Sequence, residues 1–451
     1  MEKNIPLQKN DTITLPIDAL GSDGQGIGRV DGYAVFVPGA LPGERARALI
    51  IKTTSSYAVA KLLEIEKAAP QRVAPPCAAY PRCGGCSLQQ LSYPAQLAAK
   101  KQRVQDALVK IGHLTDFEIL DTLGMETPWR YRNKGSFPFA MQNAVQFGFF
   151  APRSHRLIPF DDCLIQHPAI VAAAQSVRQW AIENHISIYD EQTHMGSLRH
   201  CMARVSKAGG VMAVVVTHGK LPHKDALIER LCKDVAGVCS IYHNRNDQRT
   251  NAILGGTFDL LWGSETMEDV IAGLRFHISP ASFLQVNPLQ TEKLYATALE
   301  YLQLSPADTL ADVYCGVGAI SLLAAQRCKK VWGIENVPAA VADAEANARR
   351  NHIDNASFLC GDAERVLPAL IADGLRPDII VVDPPRKGCE QAALQAIADS
   401  GAARLVYVSC DPATLARDCA FLHEKGFALS RVQPVDMFPQ TTHVECVVEL
   451  Y

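Results

Sequence analysis

No run of 18 or more uninterrupted apolar residues occurs in this chain of 451 residues, which excludes a helix long enough to span a bilayer. An apolar leader is missing as well. Met1-Glu2-Lys3-Asn4-Ile5-Pro6 lacks the hydrophobic stretch of a secretory signal, so a cytoplasmic location without a membrane partner is expected. Charge of one sign is scarce: 44 Lys and Arg against 47 Asp and Glu leave a net charge of −3. That balance counts against nucleic-acid binding through a uniformly basic surface and restricts any such contact to local patches. Internal repeats and low-complexity tracts are absent, and no motif points to an obligate protein partner. What is present is apolar content of 48%, enough for the cores of two or three domains. There are also 14 cysteines, which in a reducing compartment read as thiols or metal ligands rather than disulfides.

Three regions are expected. Residues 1–66 form a small β module, with strands at Thr12–Leu15, Tyr33–Val37 and Arg45–Ile51 between Gly/Pro turns. The loop Gly21-Ser22-Asp23-Gly24-Gln25-Gly26-Ile27-Gly28 neither follows a strand nor opens a helix, so it reads as a hairpin rather than a phosphate loop. The strand order and Val35-Phe36-Val37-Pro38-Gly39-Ala40-Leu41-Pro42-Gly43-Glu44 resemble a TRAM domain, an OB-like barrel that implies RNA binding. Residues 67–92 and 125–262 read as a central α+β domain, and residues 93–124 and 263–451 as a catalytic domain. The latter shows strand–loop–helix units at Thr309–Arg327, Lys330–Asn351 and Arg404–Glu424, the pattern of an α/β fold with a doubly wound parallel sheet.

Asp312-Val313-Tyr314-Cys315-Gly316-Val317-Gly318 closes one strand and opens a helix. Gly316 and Gly318 allow close approach of a ligand, and Glu335, about 20 residues on, is placed to hold ribose hydroxyls. A dinucleotide loop would carry a third glycine where Ser321 stands. The motif instead resembles that of S-adenosylmethionine (SAM) methyltransferases, with Asp362 ending the next strand near the adenine. Asp383-Pro384-Pro385-Arg386 ends the fourth strand. Amino-methyltransferases carry an aromatic where Arg386 stands, and cytosine-C5 enzymes carry a Pro-Cys pair here, so neither adenine N6 nor cytosine C5 fits.

Cys410 follows the strand Arg404–Val408 and precedes Asp411-Pro412, at the sheet edge where α/β enzymes place their chemistry. Uracil C5 is too weak a nucleophile to attack a sulfonium methyl. A thiolate added at C6 activates it, and a base must then remove the C5 proton. Cys410 and Glu445 are the expected pair, with His443 a weaker base candidate. A free thiol is mostly protonated at pH 7, so help from the following helix terminus, Arg386 or Arg417 is expected. Ser409-Cys410-Asp411-Pro412-Ala413-Thr414-Leu415-Ala416-Arg417-Asp418, Asp436-Met437-Phe438-Pro439-Gln440-Thr441-Thr442-His443-Val444-Glu445 and Phe283-Leu284-Gln285-Val286-Asn287 resemble the RNA uracil-C5 methyltransferase family over nearly the whole chain. That resemblance implies Cys410 as nucleophile, Glu445 as base, and Gln285, Tyr314, Glu335 and Asp383 around SAM. Asp411 stands where relatives often carry Asn, and a carboxylate there is expected to raise the thiol's pKa. Pro384-Pro385-Arg386-Lys387-Gly388, the TRAM-like start and the cysteine cluster favour 23S rRNA over tRNA as substrate.

Cys77, Cys83 and Cys86 form C-x5-C-x2-C, with Cys163 a fourth candidate ligand. Spacing leaves zinc and iron–sulfur open, while the resemblance implies a [4Fe–4S] cluster. Trp129-Arg130-Tyr131-Arg132-Asn133-Lys134-Gly135 reads as a strand with Arg130, Arg132 and Lys134 on one face, followed by Arg153, His155 and Arg156. This is a candidate RNA contact, or else a solvated strand face. The target uridine must leave its stack, so a single-stranded loop or bulge is the expected partner.

Overall fold

The computed structural model describes residues 5–451. In the N-terminal barrel six strands follow the order Thr12–Pro16, Arg45–Thr53, Tyr57–Lys67, Tyr33–Val37, Gly26–Val30, Ala19–Leu20. Gly28 lies within the strand Gly26–Val30, and a side chain there would collide with the Pro16 carbonyl and Leu15. That glycine therefore serves close strand approach across the barrel.

The central domain is a seven-stranded sheet, largely antiparallel, around Leu198–Val205 and Val211–Thr217. Both of these strands are buried at every position, because each face is covered. Helices Pro168–Glu183 and Lys224–Asp234 pack on one side, burying Trp180, Leu227 and Leu231. On the other side Met202, Met212, Val214 and Val216 join a single core with Phe276, Leu294, Leu322 and Val447 of the catalytic domain.

The catalytic sheet runs Ala356–Cys360, Lys330–Glu335, Thr309–Val313, Ile379–Val382, Arg404–Ser409, Glu445–Leu450, Leu429–Val435, Glu118–Ile119. The first five strands are parallel and their apolar runs are buried by helices on both faces. The expectation of a wholly parallel sheet needs correction. Glu445–Leu450 is antiparallel to both of its neighbours. The connection from Leu429–Val435 spans only residues 436–444, too short for the crossover that a parallel partner demands.

That short connection is anchored by helix Tyr93–Lys110. Asp436 is fully buried and pairs with the buried Lys100, and Tyr93 Oη donates to its other oxygen at 2.8 Å. Lys100 Nζ also donates to Phe438 O (3.0 Å), and Arg103 Nη1 to Thr442 O (2.8 Å). Removing one partner of a buried ion pair strands the other. Lys100→Met should therefore cost about 3–5 kcal/mol in urea unfolding, with much of the loss regained in Lys100→Met/Asp436→Leu.

The segment read as one strand over residues 129–135 is a second correction. The strand begins only at Lys134 (Lys134–Met141), and Arg130 has φ +57°, which breaks the alternation. Arg130 is instead neutralised by Asp162 (2.5 Å) and donates to Cys163 O (2.9 Å). Lys134 is half-buried, and burial together with Arg204 and Arg132 pushes its ammonium down to about 7. Arg130, Arg132 and Lys134 therefore do not share one solvent face. Among the described residues no helix is long and apolar enough to cross a membrane.

Candidate active site

The antiparallel turn-back at the end of the chain builds the reactive pair. Ser409 and Cys446 are register partners between Arg404–Ser409 and Glu445–Leu450, so Cys410, just beyond its strand, and Glu445, the first residue of the facing strand, are the next residues along the pair. Directly opposed residues point to the same face with Cβ atoms roughly 5 Å apart. Cys410 is half-buried, whereas Glu445 is 2% exposed and its Oε2 has no hydrogen-bond partner. Burial, then the charge of Asp383, pushes the Glu445 carboxyl up to about 8, with Arg386 opposing. Burial, Glu445 and Asp383 push the Cys410 thiol up to about 12, again opposed by Arg386.

Two expectations about the thiol change. The Asp411 carboxylate turns away to cap helix Pro412–Glu424, accepting from Ala413 N (2.9 Å) and Thr414 N (3.1 Å). The carboxylates that lead the upward shift of Cys410 are Glu445 and Asp383. Arg417 is bound to Asp418 at 2.6 Å, and the cation that acts on the thiol is Arg386.

The Gly-x-Gly loop closes the strand Thr309–Val313, which the strand Ile379–Val382 separates from Arg404–Ser409. Tyr314, Gly316 and Gly318 all have positive φ (69°, 55° and 82°). A Cβ on Gly316 would meet nothing within 4 Å, which leaves backbone open to a ligand. A Cβ on Gly318 would press on Phe358 and Ala344 at 3.1–3.2 Å, so the second glycine lets the following helix pack. Glu335 closes the next strand and accepts from Gly316 N (3.0 Å) and Val337 N (2.9 Å). Asp362 stands at the N-cap position of helix Ala363–Ala372 without a side-chain cap bond and accepts from Asn336 Nδ2 (3.4 Å), and Gln285 is buried in the loop before helix Pro288–Leu302. Asp312 sits lower: its carboxyl accepts from Ser321, the residue replacing the third glycine, and its Oδ1 is buried without a partner. Burial, offset in part by Ser321 and reinforced by Glu335, pushes Asp312 up to about 7. Burial and Asp312 push Asp383 up to about 7. A pocket with this many carboxyls suits a cationic ligand such as a sulfonium with its amino group.

At the mouth the fold assembles residues that no sequence spacing links. The Arg132 guanidinium lies 5.9 Å from the Phe438 ring centroid, and Phe438 meets His443 edge-on at 6.0 Å. Phe283, next to Leu284-Gln285, is 70% exposed. Phe283 and Phe438 both lie in the family-like segments Phe283–Asn287 and Asp436–Glu445, and that resemblance was the available signal for them. Partial enclosure and then Arg386, Arg103, Lys100 and Arg132 push His443 down to about 4, so its imidazole is neutral at pH 7.

Cys77, Cys83, Cys86 and Cys163 line one small cavity of about 20 Å³, walled by Tyr80, Phe149 and Phe160. Burial is the leading cause that pushes Cys86 up to about 12 and Cys163 up to about 11, and the neighbouring thiols add to both. Among the described residues no group of three or more His, Cys, Asp or Glu side chains is placed to hold a metal ion.

Comparison with known proteins gives two family matches: the tRNA (uracil-5-)-methyltransferase model over residues 266–451 and the TRAM domain over residues 6–63. An uncharacterized RNA methyltransferase of Clostridium tetani is 47% identical, covering 99% of this chain and 98% of its own length. One from Halalkalibacterium halodurans is likewise 47% identical, covering 100% and 99%. Among solved structures, the Pyrococcus abyssi tRNA (uracil-54, C5)-methyltransferase in complex with S-adenosyl-L-homocysteine superposes with a TM-score of 0.78 at 25% identity. The match covers 97% of this chain and all of that one.

Proposed function

This chain belongs to the RNA uracil-C5 methyltransferase family, and from that premise we propose that it methylates C5 of a specific uridine in 23S rRNA, with Cys410 as nucleophile and Glu445 as base. The observation that carries the reading is the buried Glu445 carboxyl, its Oε2 without a partner, on the strand that pairs with the one ending just before Cys410. SAM, when bound, supplies the electrophilic methyl group. Gln285, Tyr314, Gly316, Gly318, Glu335, Asp362 and Asp383 would hold it, with Asp312 supporting the loop from below.

The residues of the chain then divide the work. Deprotonated Cys410 adds to uracil C6, and the ring's C5–C6 electron pair becomes a carbanion equivalent at C5. After C5 gains the methyl, Glu445 removes the C5 proton. The C5–C6 double bond re-forms, the S–C6 bond breaks, and Cys410 leaves as thiolate. Between them Cys410 and Glu445 must carry one proton, whichever holds it, so they titrate as a coupled pair. Arg132, Phe438, His443 and Phe283 offer a cation and stacking surfaces to a uridine splayed from a loop or bulge.

The four cysteines suit an iron–sulfur cluster by their donor set: four soft thiols line one cavity, and Asp162, the carboxylate lining it, is engaged by Arg130. Cys77, Cys83, Cys86 and Cys163 would hold a [4Fe–4S] cluster in a structural role. Anaerobically purified protein should contain about four iron and four sulfide and show broad visible absorption, both lost in Cys163→Ser. Stoichiometric zinc without sulfide would overturn that assignment.

The decisive experiment uses 23S rRNA fragments substituted with 5-fluorouridine. Fluorine cannot leave as a proton, so a SAM-dependent, denaturant-stable protein–RNA adduct should accumulate, and mapping it gives the site. The second reading, a tRNA substrate, is favoured by the full-length match to the Pyrococcus abyssi tRNA enzyme. A methyluridine deficit in tRNA rather than rRNA of a deletion strain would select it. No adduct with either RNA, with SAM binding intact, would favour a non-catalytic iron–sulfur RNA-binding factor.

A further inference from the structure

We propose that Asp418 is a positioning residue for the reaction at Cys410: with Thr414 and Arg417 it clasps the Pro385–Gly388 turn onto the helix that starts at Pro412, and so fixes Arg386 beside the thiol. The inference rests on the reading of Cys410 as nucleophile.

Thr414, Arg417 and Asp418 stand at i, i+3 and i+4, one face of helix Pro412–Glu424. The turn is closed by Gly388 N donating to Pro385 O at 2.8 Å. Three hydrogen bonds tie the turn to the helix. Thr414 Oγ1 donates to Arg386 O (3.2 Å), Arg417 Nη2 donates to Lys387 O (2.9 Å), and Cys389 N donates to Asp418 Oδ2 (2.8 Å). Asp418 is fully buried, and its charge is satisfied further by Tyr407 Oη (2.7 Å) and Arg417 Nε (2.7 Å). The fit is close: Gly388 has φ +79°, and a Cβ there would lie 2.5 Å from both Arg417 Nη2 and Asp418 Oδ2.

The clasp therefore holds, through the Arg386 and Lys387 carbonyls and the Cys389 amide, the residue of the turn whose side chain acts on the active site. Arg386 is exposed and, among the described residues, pairs with no carboxylate, so only the turn places its charge. Around Cys410 the charged groups are Glu445 on the last strand, Asp383 at the end of Ile379–Val382, and Arg386 in the turn. Arg386 is the cation of the three and favours the thiolate.

The test is a double-mutant cycle read by the rate of Cys410 alkylation with iodoacetamide at a fixed pH of about 8.5, followed by mass spectrometry of the Cys410 peptide in the whole protein. Arg386→Ala should slow alkylation about three- to tenfold. Asp418→Asn should slow it by a similar factor, and the double variant no further, since both act through one guanidinium. An unchanged rate in Asp418→Asn, or slowing that multiplies in the double variant, would overturn the proposal. Should Asp418→Asn fail to fold, Arg417→Ala takes its place in the cycle, because that side chain is half exposed. Alkylation needs neither RNA nor SAM, so this outcome is independent of whether wild-type protein methylates the proposed RNA.

Discussion

Cys410→Ala is expected to lower methyl transfer by on the order of 10⁴-fold or more, the scale on which removing a covalent nucleophile acts. The loss should fall on chemistry alone. Cys410 lies one residue beyond the strand Arg404–Ser409, is only half-buried, and the cap of the following helix belongs to Asp411. Truncation therefore removes one sulfur atom without disturbing the sheet or the helix start. SAM affinity by equilibrium dialysis and unfolding by urea should stay close to wild type, and the 5-fluorouridine adduct should vanish. Substantial methylation by Cys410→Ala would mean that C5 is activated without a thiol adduct and would remove the basis for pairing Cys410 with Glu445.

Glu445→Gln is expected to act in two directions at once. Turnover should fall by orders of magnitude, because an amide cannot take the C5 proton. Addition of Cys410 and methylation can still occur, so covalent protein–RNA complex should build up on ordinary uridine RNA, without fluorine. A gel under denaturing conditions reads this directly, and free turnover with no trapped complex would point to another base, His443 first. Stability should rise. Folding holds the Glu445 carboxyl at about 8, against 4.5 in the unfolded chain. Between these values the folded state binds more protons than the unfolded one, so stability falls as pH climbs from 4.5 to 8. At roughly 1.4 kcal/mol per pH unit from 4.5 to 7, the buried acid costs at most about 3 kcal/mol at neutral pH. The neutral amide of the variant carries no such cost, so its gain over wild type should be near zero at pH 4.5 and should grow with pH. That pattern would mark Glu445 as an acid kept for function at the expense of the fold.

Much of the catalytic region was legible from local chemistry. The strands Lys330–Glu335 and Arg404–Ser409 appear where apolar runs end in polar turns. Helix Pro338–Arg350 starts at its proline, as does Pro412–Glu424 behind the Asp411 cap. Gly316 and Gly318 announce their positive φ because few other residues adopt it without strain. The 129–135 segment misled because alternating basic residues look like one strand face, while a single left-handed residue, Arg130, turns them apart. Asp411 misled because adjacency in sequence does not say where a carboxylate points. Its pull toward two free amides at a helix start outweighs its nearness to Cys410.

By itself the sequence determined the parts: a barrel of short strands at the start, a glycine loop after a strand, a cysteine at a strand edge and four thiols outside the catalytic region. Those follow from backbone preference and side-chain chemistry, which act over a few residues. Only the tertiary structure decided which parts meet. Cys410 and Glu445 lie on separate strands, and nothing in their spacing brings them together. They face each other because residues 436–444 are too short for a crossover, so the last strand must return antiparallel between its neighbours. The Lys100–Asp436 pair, the Arg132–Phe438 contact and the Asp418 clasp likewise join segments whose proximity is set by burial of a shared core, a long-range condition that no local pattern encodes.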